Sequence, residues 1–130
     1  MGEVENTVRF SIGGLSFEYD SEKNRKNIEK HGISFRSVAR VFFDYDRIEL
    51  YDEAHSETED RYDTIGDTSA GNLTIIGNLQ DIDRIDDILF VVYTERIIVD
   101  EGGKSEEVIR LISARLATSF ERGVYYGKRS

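Results

Sequence analysis

Two apolar runs in the last third of the chain constrain its fold more than any other feature. Residues 89–96 and 109–115 each carry apolar side chains at alternate positions, the period of a β-strand. Gly102 and Gly103 lie between them, which predicts a hairpin of two neighbouring strands. Both runs also carry charged groups, namely Glu95, Arg96, Arg110 and Arg115. Because strands built for a core have little reason to carry guanidinium groups, we expect these charges to cluster at an edge or end of the sheet.

The first half of the chain predicts a hairpin followed by two helices. Residues 8–19 alternate around Gly13 and Gly14, as in a small hairpin. Asp20 or Ser21 is placed to cap a helix that runs to about His31, with Ile28 as its only clear apolar contribution. Gly32 is placed as the left-handed residue after this helix, and Ile33 as the apolar residue that folds back. Ser34 can cap a second helix, whose apolar residues are Phe35, Val38, Val41 and Phe42.

The rest of the chain predicts further strands and a last helix. We expect strands at about 47–51, 61–66, 73–77, 88–99 and 107–115, an irregular segment at 52–60 and an exposed loop or short helix at 78–87. Thr118 and Glu121 have the spacing of a capping box, which predicts a final helix. The order predicts an α+β fold, a small antiparallel β-sheet with the N-terminal helices and a C-terminal helix packed on one face.

Length and composition favour one domain without covalent or metal reinforcement. The 130 residues are enough for a single core, so we treat 1–130 as one domain. The chain has no Cys, which excludes disulfides and thiolate chemistry. No run approaches the length of a membrane span and no leader is recognisable, so we expect a cytoplasmic protein with no membrane contact.

The net charge of −9 argues at first against a nucleic-acid ligand, because phosphate binding depends on Lys and Arg. The distribution is uneven, however. Residues 23–43 hold six basic side chains against one acidic, and residues 108–130 are also basic, whereas the acidic groups concentrate at 44–101. The fold therefore decides whether the two basic segments meet. The alternative is that both are solvated helix faces.

Several motifs follow one another along the chain in a recognisable order. They are DxxKNxxNxxKHGISF from residue 20, VF at 41–42, EDRY from 59 with IG at 65–66, FVVYTER from 90, and RxISARxATxxERxxY from 110. Together they resemble the BrnT family, the ribonuclease toxins of bacterial type II toxin-antitoxin pairs. The resemblance covers nearly the whole chain. Two features depart from the family: an acidic insertion at about 74–87, and a more negative charge than suits an RNA-binding enzyme.

The resemblance implies a RelE-like fold and cleavage of messenger RNA without metal, which inhibits translation. It also implies a cognate antitoxin, expected to be of the ribbon-helix-helix type, that neutralises the toxin. Operator DNA would then be bound only indirectly, through the antitoxin. The assembly we consider is a homodimer within a heterotetramer. The alternative function is a catalytically inactive binding module retained for complex formation with an antitoxin-like partner. A third, an enzyme of small molecules, lacks any supporting motif.

Metal-free cleavage uses the ribose 2′-hydroxyl as nucleophile, so the protein must move protons and stabilise a charged phosphate. Guanidinium groups suit the phosphate because they bind it in bidentate fashion. The candidate catalytic residues on the matched motifs are His31, Arg61, Glu95, Arg96, Arg110 and Tyr125. Glu95 or His31 would be the base or acid, and Tyr125 would orient a base. The candidate RNA-binding residues are Lys23, Lys26, Lys30, Arg115 and Arg122.

Several of these residues have a structural alternative. His31 ends a helix, where a cation is favoured by the macrodipole, so capping competes with catalysis. Glu95 can be a structural ion pair, and Glu121 is first a cap. Arg110 and Arg115 are five apart and should point to opposite faces of an undistorted strand. Arg96 and Arg110 are the favoured pair, since the hairpin places them almost opposite each other. We expect neither metal nor cofactor, and His55 to be solvent-exposed.

Overall fold

The computed structural model describes residues 6–69 and 87–128. Within these ranges the fold is α+β, with six strands and three α-helices, as expected. The strands are β1 (Thr7–Ile12), β2 (Leu15–Asp20), β3 (Ile48–Tyr51), β4 (Tyr62–Asp67), β5 (Ile88–Val99) and β6 (Ser105–Leu116). The helices are α1 (Ser21–His31), α2 (Phe35–Val38) and α3 (Ser119–Lys128), with short 3-10 segments at Ala39–Phe43 and Glu53–His55.

The strands form one mixed sheet in the order β1-β2-β6-β5-β4-β3. All neighbours are antiparallel except β2 and β6, which run parallel. The expectation of a purely antiparallel sheet was therefore wrong for one pair of strands, β2 and β6, which we call the parallel seam. This seam joins the N-terminal hairpin to the C-terminal hairpin. Because the two hairpins are distant in sequence, no turn between them sets their relative direction.

Helix α1 begins and ends where the sequence predicts. The Asp20 carboxylate accepts a hydrogen bond from the Lys23 backbone N–H at 3.0 Å, and Gly32 adopts a left-handed conformation with φ of 72°. Ile33 then folds into the core and is 1% exposed. The buried side chain of α1 is Asn27, however, while Ile28 is 42% exposed.

Asn27 is buried because its amide satisfies backbone groups on both sides of α1. Its nitrogen donates to the Ile33 carbonyl at 2.9 Å, and its oxygen accepts from the Ala114 N–H of β6 at 3.4 Å. Asn24 caps the next helix by accepting from the Phe35 N–H at 2.8 Å. The two asparagines of the first motif therefore have structural partners that attach α1 to the sheet and to α2.

The second helix is shorter than its apolar spacing suggests. Ser34 caps it as predicted, by accepting from the Ser37 N–H, but the α-helical turn ends at Val38 and continues as the 3-10 segment Ala39–Phe43. Its four apolar positions are nevertheless buried, as predicted: Phe35, Val38, Val41 and Phe42.

The two faces of the sheet pack against different helices. On the face that we call the α1 face, side chains such as Phe17, Val91 and Leu111 join the core of α2 and its 3-10 extension. On the opposite face, the α3 face, Tyr125 packs with Ile65 and Ile88 in a smaller cluster. The helices therefore lie on both faces, not on one. This follows from strand alternation, because residues 88 and 90 of β5 point away from residues 89 and 91.

The final helix has the predicted capping box. The Thr118 N–H donates to Glu121 Oε1 at 2.9 Å, and the Glu121 N–H donates to Thr118 Oγ1 at 3.1 Å. The hairpin around Gly102 and Gly103 and the strand at 88–99 are also confirmed. The predicted strand at 73–77 and the loop and acidic insertion up to residue 86 lie outside the described residues. None of the described helices is long and apolar enough to cross a membrane.

Gly66 in β4 provides a test of the packing between the sheet and the 3-10 segment. A Cβ at this position would lie 2.5 Å from Val41 Cγ1 and 3.2 Å from Arg47 Cβ. We expect Gly66→Ala to lower the free energy of unfolding by about 1–3 kcal/mol through overpacking, measured by urea denaturation.

Gly123→Ala in α3 is the matched control, because a Cβ there meets nothing within 4 Å. Alanine replaces glycine in a helix, so we expect this variant to be more stable by about 0.5–1 kcal/mol. Equal stability of the two variants would contradict the packing described for Gly66.

Candidate functional site

A buried carboxylate lies on the α3 face of the sheet, one strand in from the β1 edge. Glu18 is on β2, where Phe17 and Tyr19 point into the core of the α1 face and Glu18 points to the other side. Its side chain is fully buried, and it binds the guanidinium groups of three arginines: Arg9 at 2.9 Å, Arg110 at 2.9 Å, and Arg96. We call Glu18 with these three residues the arginine cluster.

The strand register explains why these residues meet. The tight turn at Gly13 and Gly14 places Arg9 directly opposite Glu18 in the first hairpin. The parallel pairing of β2 with β6 places Arg110 beside Glu18. Arg110 faces Thr94 on β5, and Arg96 is two residues further along the same face. Four consecutive strands of the sheet thus each contribute one member.

The arginines keep Glu18 ionised although it is buried. Burial by itself would raise the pKa of Glu18, but hydrogen bonds from Arg9 and Arg110 and the charges of Arg96 and Arg110 together lower it below its usual value. Three guanidinium groups around one carboxylate leave an excess of positive charge. Arg9 and Arg96 remain accessible, with side chains 57% and 44% exposed, and Arg110 is 22% exposed. All three guanidinium side chains therefore keep some surface that solvent can reach.

These arginines form one wall of a cleft of about 790 Å³, which we call the arginine cleft. Its lining residues are Thr7, Arg9, Asp20, Lys23, Glu59, Arg96 and Arg110. Four are cationic and two are carboxylates, so the cleft is basic although the whole chain is acidic. Planar guanidinium groups at such a site suit a phosphate or carboxylate ligand.

The favoured pair of the sequence analysis, Arg96 and Arg110, is brought together in this cleft, and Lys23 joins them from the first turn of α1. Lys26 and Lys30 are exposed on α1 but line neither this cleft nor the groove described below. Asp20 is already occupied as the cap of α1. Glu59 is the other carboxylate of the cleft, and its ion pair with Arg61 is long, at 3.7 Å.

The prediction that Arg110 and Arg115 point to opposite faces was wrong. A β-bulge shifts the register of β6 between Leu111 and Ser113, so that Arg110 faces Thr94 while Arg115 faces Phe90. Both arginines therefore lie on the α3 face, since the extra residue cancels the odd spacing.

Arg115 is nevertheless used for the fold. Its guanidinium group binds both oxygens of Glu121, at 2.8 and 2.9 Å, and stacks over the Phe90 ring at 4.3 Å. The hydrogen bond from Arg115, with those from Thr118, lowers the pKa of Glu121 to about 2. The pair joins α3 to β6, and the Arg115 side chain remains 38% exposed, so its role in RNA binding stays a prediction.

The other predicted residues are spread over the molecule. Tyr125 is 1% exposed and donates a hydrogen bond to the buried Asp44 at 2.6 Å, which attaches α3 to the segment after α2. Arg61 precedes β4 and is one third exposed. Arg122 binds Asp87 at 2.6 Å.

His31 and Glu95 are not brought to the arginine cleft. His31 is the exposed last residue of α1, the place where a cation also stabilises a helix end. Glu95 is exposed on β5 opposite Ile109, and alternation directs it to the α1 face while its neighbour Arg96 points to the α3 face.

Sequence reasoning missed Arg9, Glu18 and Glu59. The sequence does indicate the first two. In a hairpin with a two-residue Gly-Gly turn, residues at equal distances before and after the turn lie opposite each other, and Arg9 and Glu18 are such a pair. No such indication exists for Glu59, since it lies in an irregular segment whose path the sequence pattern does not determine. Among the described residues, no group of three or more His, Cys, Asp and Glu side chains is arranged to hold a metal ion.

The fold and the cleft describe a small α+β protein with a basic cleft on one face of its sheet. Over residues 19–85 the chain matches the family model described as the ribonuclease toxin BrnT of type II toxin-antitoxin systems, and it belongs to that family. No curated protein matches it. The matched range contains the three helical segments between β2 and β3, and also β4. It includes Lys23 and Glu59 of the cleft, and it ends before β5 and β6. Arg9, Glu18, Arg96 and Arg110 therefore lie outside it.

Replacing Glu18 by glutamine tests the electrostatics of the cluster. We expect Glu18→Gln to cost about 2 kcal/mol of unfolding free energy at pH 7, because hydrogen bonds to an ionised group are lost. The folded-state pKa of Glu18 is lowered, so its contribution is complete above the unfolded value of 4.5 and disappears as the pH falls through the folded value.

The measurement is urea denaturation of both proteins from pH 7 to pH 3. The stability difference between wild type and Glu18→Gln should be largest near neutral pH and shrink towards pH 3. A difference that is constant over this range would contradict an ionised, arginine-bound Glu18.

Proposed function

We propose that this protein cleaves messenger RNA in the arginine cleft, as the toxin of a type II toxin-antitoxin pair. The observation that carries the proposal is the convergence of three part-exposed guanidinium groups on one buried carboxylate. Membership of a ribonuclease toxin family supplies the reaction class. The basic cleft supplies what an acidic chain otherwise lacks, a place for a phosphodiester.

Glu18 has a positioning role in this proposal. Three arginines close to one another repel, and a buried carboxylate between them offsets that repulsion and restricts their rotamers. The guanidinium groups then have the orientation needed for binding before the substrate arrives. Preorganised donors of this kind stabilise the charge that develops on phosphate oxygens in the transition state.

The proton steps need a base and an acid near the phosphate. We assign the base to Glu59, because it lines the cleft, is about half exposed at 45%, and within the described residues has an ion pair of 3.7 Å, with Arg61. It would take the proton of the 2′-hydroxyl as that oxygen attacks the adjacent phosphorus. The bond to the 5′-oxygen then breaks, and we assign the protonation of the leaving oxygen to Lys23, because its ammonium group lines the same cleft.

The catalytic roles of His31, Glu95 and Tyr125 remain predictions from the sequence, and this scheme does not use them. Their positions favour other functions: a helix end for His31, the α1 face for Glu95 and the core for Tyr125. Arg61 acts through Glu59, whose carboxylate it faces. Lys26 and Lys30 extend the basic surface along α1, where a longer RNA would pass.

The family implies an antitoxin partner. We propose that this antitoxin is of the ribbon-helix-helix type, that it neutralises the toxin in a heterotetramer and that operator DNA is reached only through it. The place of action would be the cytoplasm. We keep 1–130 as a single RelE-like domain, with 74–87 as an acidic insertion.

One observation favours the alternative of an inactive module that only binds an antitoxin. Glu18 already neutralises part of the arginine charge, as in a cluster retained for the fold alone. The two functions differ in a simple respect: an inactive module leaves RNA intact when it is expressed without its partner.

Growth arrest and RNA cleavage test the arginine cleft. Expressed alone, the wild-type protein should arrest bacterial growth and cut RNA in vitro, and Arg96→Ala should lower the cleavage rate by about 10²-fold, the effect of losing one charge-stabilising donor. Arg110→Ala should do the same, but Arg96 is the sharper test because its side chain is more exposed and the fold depends on it less.

Arg25→Ala is the matched control. Arg25 is exposed on α1, where it pairs with Glu22 and Glu29, and it does not line the cleft. It should cleave at the wild-type rate. Intact RNA with folded wild-type protein would refute the ribonuclease proposal and support the binding module.

The assignment of the base is tested by Glu59→Gln. We expect it to lower the cleavage rate by about 10²-fold and to flatten the acidic limb of the pH-rate profile, because glutamine has no proton to lose. Glu57→Gln, a neighbouring exposed glutamate outside the cleft, should leave both unchanged. Wild-type activity in Glu59→Gln would remove Glu59 from the mechanism.

A further inference from the structure

A second concavity, of about 750 Å³, lies beside the arginine cleft. We call it the β5–β6 groove. Aromatic and aliphatic side chains from four parts of the fold line it, among them Phe42, Tyr62, Tyr93, Ile97 and Ile109. Phe42 and Tyr93 are at van der Waals distance edge to face, with ring centroids 4.9 Å apart, and Tyr62 stacks on Tyr93 at 5.5 Å. The floor of the groove is thus aromatic, and Tyr62 is its partly exposed ring, because Phe42 and Tyr93 are buried beneath it.

The β5 side of this groove carries one strongly exposed apolar residue. Ile97 is 70% exposed. It lies opposite Glu107 on β6 and shares the α1 face with Tyr93 and Glu95. An exposed isoleucine adjoining a concave aromatic floor is typical of a protein interaction surface.

The rim of the groove is acidic. Its carboxylates are Glu49, Glu59, Asp60, Glu95 and Glu107, against only two arginines, Arg47 and Arg96. Arg47 is already bound to Glu49 at 2.8 Å. Burial, followed by the negative charges of Glu49 and Glu95, raises the pKa of Tyr93 above its ordinary value. The field in this groove is therefore negative, opposite in sign to that of the arginine cleft.

We infer that the β5–β6 groove binds a cationic amphipathic segment of a partner polypeptide, with apolar side chains against Tyr62 and Ile97 and Lys or Arg side chains against Glu95 and Glu107. Charge complementarity selects this occupant, because an acidic rim repels RNA and any acidic segment. The apolar floor in turn requires apolar side chains in the occupant, so a segment made only of basic residues would not fit.

The groove shares Arg96 and Glu59 with the arginine cleft. An occupant would therefore contact the wall between the two concavities. The inference is independent of the ribonuclease proposal, because it concerns binding alone and is measured without RNA.

The test uses a fluorescein-labelled 14-residue peptide of leucine and lysine with amphipathic spacing, and fluorescence anisotropy with the full chain. The wild-type protein should bind this peptide and should not bind the same peptide with every lysine replaced by glutamate. Glu107→Lys should raise the dissociation constant by about fivefold, as expected for a reversed rim charge. Ile97→Ser should raise it by about threefold through lost apolar burial.

Each variant has a matched control outside the groove. Glu101→Lys makes the same charge change in the exposed β5–β6 turn, and Val99→Ser makes a comparable polar change at a residue that is 62% exposed on the same strand. Both should bind the peptide within twofold of wild type.

The inference is overturned if the wild-type protein fails to bind the lysine peptide or binds the glutamate peptide equally well. It is also overturned if Glu101→Lys weakens binding as much as Glu107→Lys, because the attraction would then come from the net charge alone. Circular dichroism spectra establish that all four variants are folded, since each replaces an exposed side chain.

Discussion

The structure depends above all on one buried ion cluster, in which Glu18 holds Arg9, Arg96 and Arg110. A carboxylate in a protein interior is costly unless it is paired and fully hydrogen-bonded. Glu18 meets this condition only when β1, β2, β6 and β5 are all in their native register. The cluster therefore favours one alignment of the two hairpins, and it does so at the parallel seam, where no turn specifies the register.

The molecule has two surfaces of opposite charge, and the arginine cluster lies on the basic one. Arginines collect in the cleft on the α3 face, whereas Glu49, Glu95 and Glu107 surround the β5–β6 groove. The net charge of −9 is a sum over the whole chain and conceals this uneven distribution. It restricts neither the ligand of the basic cleft nor the partner of the acidic groove, because fields at a binding site depend on nearby charges.

The β-bulge in β6 adds one residue to the strand, and this residue changes the face to which the arginines of the last motif point. Without it, Arg110 and Arg115 would point to opposite faces. With it, both lie on the α3 face, where Arg110 reaches Glu18 and Arg115 reaches Glu121. Asn27 of α1 accepts a hydrogen bond from the Ala114 N–H next to the bulge, so the helix and the strand irregularity stabilise each other.

Local chemistry allowed the sequence by itself to determine most elements and their ends. The Asp20 cap, the left-handed Gly32, the capping box of Thr118 and Glu121, and the alternation of β5 all act within a few residues, so they can be recognised in the chain alone. The proximity of Arg96 to Arg110 was also predictable, because they lie on adjacent strands of one hairpin. Only the tertiary structure decided the rest: the parallel seam, the bulge, the placement of α3 on the second face, and the meeting of Glu18 with three arginines. These features arise from contacts between segments far apart in sequence, where no local preference sets direction or register, and burial of the whole sheet selects them together.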